Sequence, residues 1–256
     1  MPKATTRSAL ITGTGRRIGR AIALALAEDG WAIGAHYNAS GEETDSLVDE
    51  IRRQGGRAEA LKADLSDETD LAGLIGKARS AVGEIGCLIN NAAVFEKDTI
   101  LTADRASWDR HMQVNLRAPF VLTQAFARNL PDGVCGNVVN IIDQRVWNLT
   151  PDFASYTLSK SALWTLTQTA AMALAPTIRV NAIGPGPTLP SVHQTPEQFR
   201  RQCEALPLEK GAAPEEIAAT VRFILDAPSI TGQMIAVDGG QHLGGGSKAA
   251  GDNLDG

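Results

Sequence analysis

Short, almost continuously apolar runs alternate with helix-period segments along nearly the whole chain, and that alternation is what most limits the fold. Ala9-Leu-Ile-Thr12 reads as a buried strand, followed by a helix from about Arg17 to Glu28. The pattern continues with strand Trp31 to Tyr37, helix Glu42 to Gln54, strand Ala58 to Lys62, helix Asp67 to Val82 and strand Cys87 to Asn90. A long helix over roughly Asp104 to Asn129 precedes strand Asn137 to Ile142, helix Ala154 to Leu174 and strand Ile178 to Ala182. Two shorter helices and a strand at Gln233 to Val237 complete the series. Strands apolar on both faces and separated by helices predict a parallel sheet covered on both sides. The expected fold class is α/β, a single domain with a seven-stranded parallel sheet and helices on both faces. No break or repeat divides the chain. The domain is expected over 1–243, with a Gly-rich, polar and flexible tail at 244–256.

Composition removes several classes of function. A net charge of −5, without a block of Lys or Arg, gives no electrostatic case for nucleic acid. No apolar run approaches membrane-spanning length, and no apolar segment follows the N-terminus as in a signal peptide. Cys87, Cys135 and Cys203 are odd in number and widely spaced, which fits reduced thiols in a cytoplasmic protein better than disulfides or a metal site.

Two clusters carry chemistry. Thr12-Gly-Thr-Gly-Arg-Arg-Ile-Gly19 lies between the first strand and the first helix, where small residues let backbone N–H groups approach a pyrophosphate. Strand two ends in His36-Tyr37-Asn38-Ala39-Ser40, without the acid that would hold the ribose 2′-OH of NADH. Arg16 and Arg17 add positive charge at a helix start that disfavours cations unless an anion is near. These residues favour NADPH, with arginine and hydroxyl donors on its 2′-phosphate. Asp64 closes strand three, where it could meet an adenine edge or cap the next helix. Asn90-Asn91-Ala92 follows strand four at the ligand-binding edge of the sheet.

The second cluster is Asp143 with Tyr156-Thr-Leu-Ser-Lys160. Residues four apart on a helix share a face, so the Lys160 ammonium can lie beside the Tyr156 phenol and lower a pKa that is ordinarily about 10. Such a tyrosine can move a proton near neutral pH. Asn115 belongs to the same set because Pro119, four residues on, has no N–H to give its carbonyl, which is then free to hold a water.

Taken together, Thr12-Gly13-x3-Arg17-x-Gly19, Asn90-Asn-Ala, Asn115, Tyr156-x3-Lys160 and Pro185-Gly186 resemble the short-chain dehydrogenase/reductase family from about Ser8 to Gly240. The resemblance implies a single doubly wound Rossmann domain and hydride transfer from NADPH with Tyr156 as proton donor, Lys160 on the nicotinamide ribose and Asn115 in a proton relay. It implies cofactor contacts from Gly13, Arg16, Arg17, Ile18, Gly19, His36, Tyr37, Asn38, Ser40, Asp64, Leu65, Asn91, Ala92, Pro185, Gly186 and Thr188, and a homotetramer. Asp143 stands where the family usually has Ser. With Arg17 and His36-Tyr37-x2-Ser40 it is similar to the pteridine reductase branch, including the dihydromonapterin reductases. There Phe95 would stack a pterin against the nicotinamide, and the expected substrates are dihydromonapterin, dihydrobiopterin or dihydrofolate. Ala39 and Ala93 differ from the trypanosomatid members, and His242 is the candidate for reaching a neighbouring subunit. An ionised Asp143 would repel a developing oxyanion. Either burial keeps it protonated, or it serves a ring nitrogen through water. A ketone or secondary-alcohol reductase and a catalytically idle NADP(H) sensor are the competing readings. A substrate loop is expected over about 184–210, with a lid from Ser191 to Leu206 and with Trp147 and His193 as pocket residues.

Overall fold

The computed structural model describes residues 6–190 and 194–244. Seven strands form one sheet: β1 (Ser8–Ile11), β2 (Ala32–Tyr37), β3 (Arg57–Lys62), β4 (Cys87–Asn90), β5 (Gly136–Ile141), β6 (Ile178–Pro185) and β7 (Met234–Val237). Their order is β3-β2-β1-β4-β5-β6-β7 and every neighbouring pair is parallel. The expected doubly wound sheet is thus present. Strand order reverses between β1 and β4, so their carboxyl ends open the crevice in which such sheets bind ligands.

Both sheet faces are covered because the strands alternate two apolar sets. Ala9 and Ile11 of β1 join a buried cluster with Ile22 and Leu26 of α1 (Arg17–Glu28), Leu47 and Ile51 of α2 (Gly41–Arg53), and Val221 and Ile224 of α8 (Pro214–Asp226). Leu10, between them, joins the opposite cluster with Leu71 and Leu74 of α3 (Glu68–Val82), Leu122 and Phe126 of α5 (Ala118–Asn129), and Ala170 of α6 (Ala154–Leu174). Each Leu or Ile withdrawn fully from water contributes about 1.5–3 kcal/mol, so the sheet is a rigid base for the loops at its carboxyl edge.

Two expectations of extent are revised. The long helix is three segments: α4 (Arg105–Met112), a π-helical turn Gln113–Arg117, and α5, which holds Pro119 in its first turn. The Ala118 N–H donates to the Gln113 carbonyl, an i→i+5 bond. Proline withholds its own N–H, and the ladder widens by one residue rather than breaking. Strand β6 runs past Ala182 to Pro185 because β7 pairs with its whole second half. The remaining helix, α7 (Pro196–Glu204), begins with a Thr195 capping box. Ser191 and His193, named above for the lid and the pocket, and the tail beyond Gly244 lie outside the described residues.

Candidate active site

The glycine turn is shaped by contacts that admit no side chain. A Cβ on Gly19 would lie 2.1 Å from the Gly13 carbonyl oxygen, and one on Gly13, at φ 71°, would lie 3.0 Å from Ala92 Cα. Helix α1 starts at this turn with no side-chain cap and no acid in its first turn, leaving its N–H groups to an anion. A pyrophosphate fits that cradle. Asn91 and Ala92 hold the turn from β4. The Asn91 side chain donates to the carbonyls of Thr12 (2.8 Å) and Gly13 (2.9 Å). The backbone N–H groups of Asn91 and Ala92 donate to Thr12 Oγ1 at 2.9 and 3.0 Å.

His36 does not face a 2′-phosphate. Its side chain is turned inward at 2% exposure, where Nδ1 accepts from the Gly13 N–H at 3.1 Å and Nε2 lies 3.1 Å from the Ala63 carbonyl. The accepting Nδ1 fixes the tautomer, so Nε2–H is the donor to Ala63. Burial lowers the pKa from 6.5 to about 4 and keeps the ring neutral. Between those two values the unfolded chain binds a proton that the folded chain does not, so stability falls as pH drops through this window. The full loss is roughly 3 kcal/mol at 1.36 kcal/mol per pKa unit. Urea unfolding at pH 7.5 and 4.5 should show a larger loss for wild type than for His36→Gln. Equal losses would show that this ring does not titrate with unfolding.

At the adenosine end, Ser40 is the N-cap residue of α2 but makes no capping bond with its side chain, and Tyr37 lies against Gly41. Asn38 is exposed at the end of β2. Asp64 accepts from Ser66 N (2.8 Å) and Oγ (2.7 Å), and Asp67, not Asp64, caps α3. Leu65 is a core residue, so its contribution to a cofactor is limited to backbone. Ile18 packs on the opposite core. Arg16 pairs with Glu43. Arg17 has a left-handed backbone, φ 56°, and its guanidinium donates to the carbonyls of Leu189 (2.9 Å) and Pro190 (2.7 Å). This arginine therefore ties the phosphate turn to the substrate loop, which revises its expected place on the 2′-phosphate. Arg17→Ala is expected to raise the Michaelis constant of the second substrate several-fold with NADPH and NADH alike. An effect confined to NADPH would return Arg17 to the 2′-phosphate.

The residues expected to react gather at the ends of β5 and α6. Asp143 opens a 3-10 turn, Gln144–Val146, and accepts from the Arg145 N–H at 2.8 Å. Tyr156 Oη donates to Asp143 Oδ2 at 3.0 Å. Lys160 Nζ donates to the Ile141 carbonyl at 2.8 Å and stands 5.9 Å from the centre of the Tyr156 ring. Lys160 and Tyr156 are 2% and 5% exposed. Burial, then Asp143, push the phenol well above its ordinary range, and burial brings Lys160 down to about 8. The expected lowering of the Tyr156 pKa by the ammonium is thus overturned, because desolvation and a neighbouring carboxyl outweigh a cation at this distance. Tyr156 is held as a neutral phenol, a donor. Asp143 is raised by burial against the opposing pull of Arg145, Tyr156 and Lys160. Asn115 sits inside the π turn, fully buried, and spends its side chain on the chain before the pocket. Its Oδ1 accepts from Val94 N at 2.8 Å, and its Nδ2 donates to Val94 O (3.0 Å) and Ser159 Oγ (3.1 Å).

An aromatic wall stands beside Tyr156. Phe95 stacks on Phe153 with centroids 4.3 Å apart and 8° between planes, and meets Tyr156 edge-on at 4.7 Å. Arg145 lies 5.1 Å from the Phe153 ring centre. Opposite, Thr188 Oγ1 donates to the Gly186 carbonyl at 3.1 Å, and a Cβ on Gly186 would come within 2.7 Å of Asp238 Cα. Pro185 ends β6 just before that contact. His242 folds back on Asp238 of its own chain, Nδ1 to Oδ2 2.8 Å, and Trp147 packs edge-on against His242 and Trp164.

A glycine-cradled helix start and a Tyr/Lys/Asn set at the same sheet edge coincide with a family match. The family profile described as enoyl-(acyl carrier protein) reductase covers residues 13–242. The chain belongs to the short-chain dehydrogenase/reductase family. It is 34% identical to an uncharacterized oxidoreductase of Methylorubrum extorquens, over 94% of this chain and 99% of that one. It is 31% identical to the 3-oxoacyl-[acyl-carrier-protein] reductase FabG of Staphylococcus aureus, over 93% and 99%. Among solved structures, FolM alternative dihydrofolate reductase 1 from Brucella suis in complex with NADP is 50% identical, with a TM-score of 0.90 over 92% of this chain and 95% of that one. A blue fluorescent protein from a metagenomic library in complex with NADPH is 32% identical, with a TM-score of 0.85 over 92% and 98%.

Within this reductase-family site the sequence analysis did not single out Asp98, His111 and Ser155, which are buried behind the aromatic wall, or the half-buried Ser107 bonded to Asp98. Ser107, His111 and Asn115 fall four apart on one helix face, a polar stripe that could have marked them. Among the described residues no group of His, Cys, Asp or Glu could hold a metal, and no helix is long and apolar enough to cross a membrane.

Proposed function

We propose that this chain is an NADPH-dependent reductase of pterin-type substrates such as dihydromonapterin, dihydrobiopterin or dihydrofolate. One observation carries the reading: a half-buried carboxyl, Asp143, accepts the hydrogen bond of the proton-donating Tyr156 beside the Phe95 ring. Reduction of a ring C=N needs a proton at nitrogen, and a carboxyl with a raised pKa can restore the phenol's proton once it is given. A flat heterocycle gains from an aromatic face. The likeness to a FolM alternative dihydrofolate reductase at 50% identity supports the same substrate class.

The cofactor would lie with its pyrophosphate over Gly13, Ile18 and Gly19, its 2′-phosphate near Tyr37, Asn38, Ser40 and Arg16, and its adenine by Asp64 and the Leu65 backbone. Asn91, Ala92, Pro185, Gly186 and Thr188 would flank the nicotinamide half. When bound, NADPH supplies the hydride. Tyr156 delivers the proton, Asp143 replaces it, and Lys160 orients the ribose. Asn115 holds the π turn against the pocket. The enzyme is proposed to act in the cytoplasm as a homotetramer. Exposed apolar residues on α4, α5 and α6, Trp108, Phe120, Leu158 and Met172, support association through that face.

Similarity to reductases named FabG favours a second reading, a carbonyl reductase of broader range. An idle sensor is disfavoured because a protein that only bound the cofactor would not need a proton donor. The test is NADPH oxidation with dihydromonapterin, dihydrobiopterin, dihydrofolate and a panel of ketones. Turnover of a dihydropterin at a kcat/KM at least about ten-fold above any ketone is expected. Turnover of ketones alone would sink the pterin reading, and no turnover at all would favour the sensor.

A further inference from the structure

The segment that carries Phe95 is fastened to α4 and the π turn at every second residue. Val94 bonds Asn115 through both its backbone N–H and its carbonyl. The Glu96 N–H donates to His111 Nε2 at 3.1 Å, and the Glu96 carboxylate pairs with Arg110. Asp98 Oδ2 accepts from Ser107 Oγ at 2.7 Å. Residues 94, 96 and 98 thus meet 115, 111 and 107. The spacing matches physically, since two residues of extended chain advance about 6–7 Å and four of helix about 6 Å. Phe95, between the fastened residues, meets the rings of Phe153 and Tyr156 instead.

At the centre the proton directions are fixed. His111 Nε2 accepts, so Nδ1 carries the proton and donates to Ser155 Oγ at 2.7 Å. Ser155 Oγ in turn donates to Asp98, whose Oδ1 accepts from Ser155 N at 3.1 Å. The Asp98 carbonyl accepts from Phe153 N at 2.7 Å, which holds Phe153 in a left-handed conformation, φ 59°, against an intrinsic cost of about 1–2 kcal/mol. One hydrogen-bonded unit therefore sets both aromatic rings.

We infer that His111 is a positioning residue for substrate recognition: its neutral imidazole locks the register of the 94–98 segment and so places Phe95 beside the proton donor. The pterin part of this inference rests on the proposed function; the lock itself does not. A proton on Nε2 would face the Glu96 N–H with a second donor and open the fastening. Facing His111 are Asp98 and Glu96 from the segment, Arg110 and Ser107 from its own helix, and Ser155 and the Tyr156 ring from α6. Burial, the largest influence, holds its pKa below 6.5 against the pull of Asp98 and Glu96. The lock is closed at neutral pH and opens as pH falls.

The chain has four histidines, so nitrogen-15 NMR of the imidazoles tests this directly. At pH 7.5 an Nδ1–H signal is expected that vanishes in His111→Gln, while that of His242, whose Nδ1 meets the Asp238 carboxylate, remains. In wild type the KM for a dihydropterin should rise as pH falls below neutral, toward about ten-fold once the ring is fully protonated, roughly one lost hydrogen bond, with a smaller change in kcat. His111→Gln, whose amide does not titrate, should flatten that rise. If the ring whose signals His111→Gln removes is an Nε2–H tautomer or an imidazolium at pH 7.5, the lock is overturned whatever the substrate. A parallel pH dependence in wild type and His111→Gln overturns its role in recognition. If wild type reduces ketones and no pterin, the substrate reading falls, and the same KM comparison is made with the ketone.

Discussion

Tyr156→Phe is expected to lower kcat for reduction by roughly 10²–10⁴-fold, the usual contribution of a positioned proton donor. The substitution removes one oxygen and leaves the ring in its place against Phe95 and His111. NADPH affinity, measured by quenching of protein fluorescence, should stay within about two-fold, because the cofactor cradle is built from the glycine turn, β4 and His36. Loss of NADPH binding together with activity would mean that the phenol holds the cofactor rather than the proton. Removing the phenol also leaves the half-buried Asp143 Oδ2 without its donor, an added cost of about 1 kcal/mol. Melting temperature must therefore be measured beside kcat to separate the two effects.

Substitution of Asp143 should divide substrates rather than abolish turnover. Asp143→Ser supplies a hydroxyl that can donate to a substrate carbonyl, so ketone reduction is expected to persist or rise. Dihydropterin reduction should fall by at least about 10²-fold because no carboxyl remains to return the proton. Burial raises the Asp143 pKa, so the carboxyl keeps its proton to higher pH than an exposed one and loses it as pH rises. Wild-type kcat for a dihydropterin should accordingly decline as pH rises through the raised Asp143 pKa, and Asp143→Asn, which cannot ionise, should lack that limb. Pterin reduction surviving in Asp143→Ser with ketone reduction lost would reverse the assignment.

The sheet, its helices and the position of the site at its carboxyl edge were legible because they follow from period and spacing. Leu10 beside Ala9 and Ile11 already shows a strand buried on both faces, and the four-residue step from Tyr156 to Lys160 already puts both on one helix face. What could not be read was where polar side chains spend their bonds. His36 lies in the expected cofactor segment, yet its ring is turned inward to serve Gly13 and Ala63. Arg17 reaches across the cleft to Leu189 and Pro190 because its left-handed backbone redirects the side chain. The phenol's environment was misjudged because local sequence reports the nearby Lys160 but not the depth of burial. The four-residue step of Ser107, His111 and Asn115 marks a polar stripe, but nothing in the sequence shows that the 94–98 segment is laid over it.

The strand order also dictates when the binding cradle can come into existence. Strand β1 pairs with β4, joining Leu10 to Leu88, and both strands of the intervening chain, β2 and β3, lie on the other side of β1. The bonds from Asn91 that shape the glycine turn span 78 and 79 residues, and the tie from Arg17 to the substrate loop spans 172 and 173. Contacts so distant in the chain are made only after much loop-closure entropy has been overcome, which slows the folding of parallel sheets. On a ribosome, the glycine motif emerges first but has no fixed shape until β4 docks. Its tie to the substrate loop waits for more than two thirds of the chain.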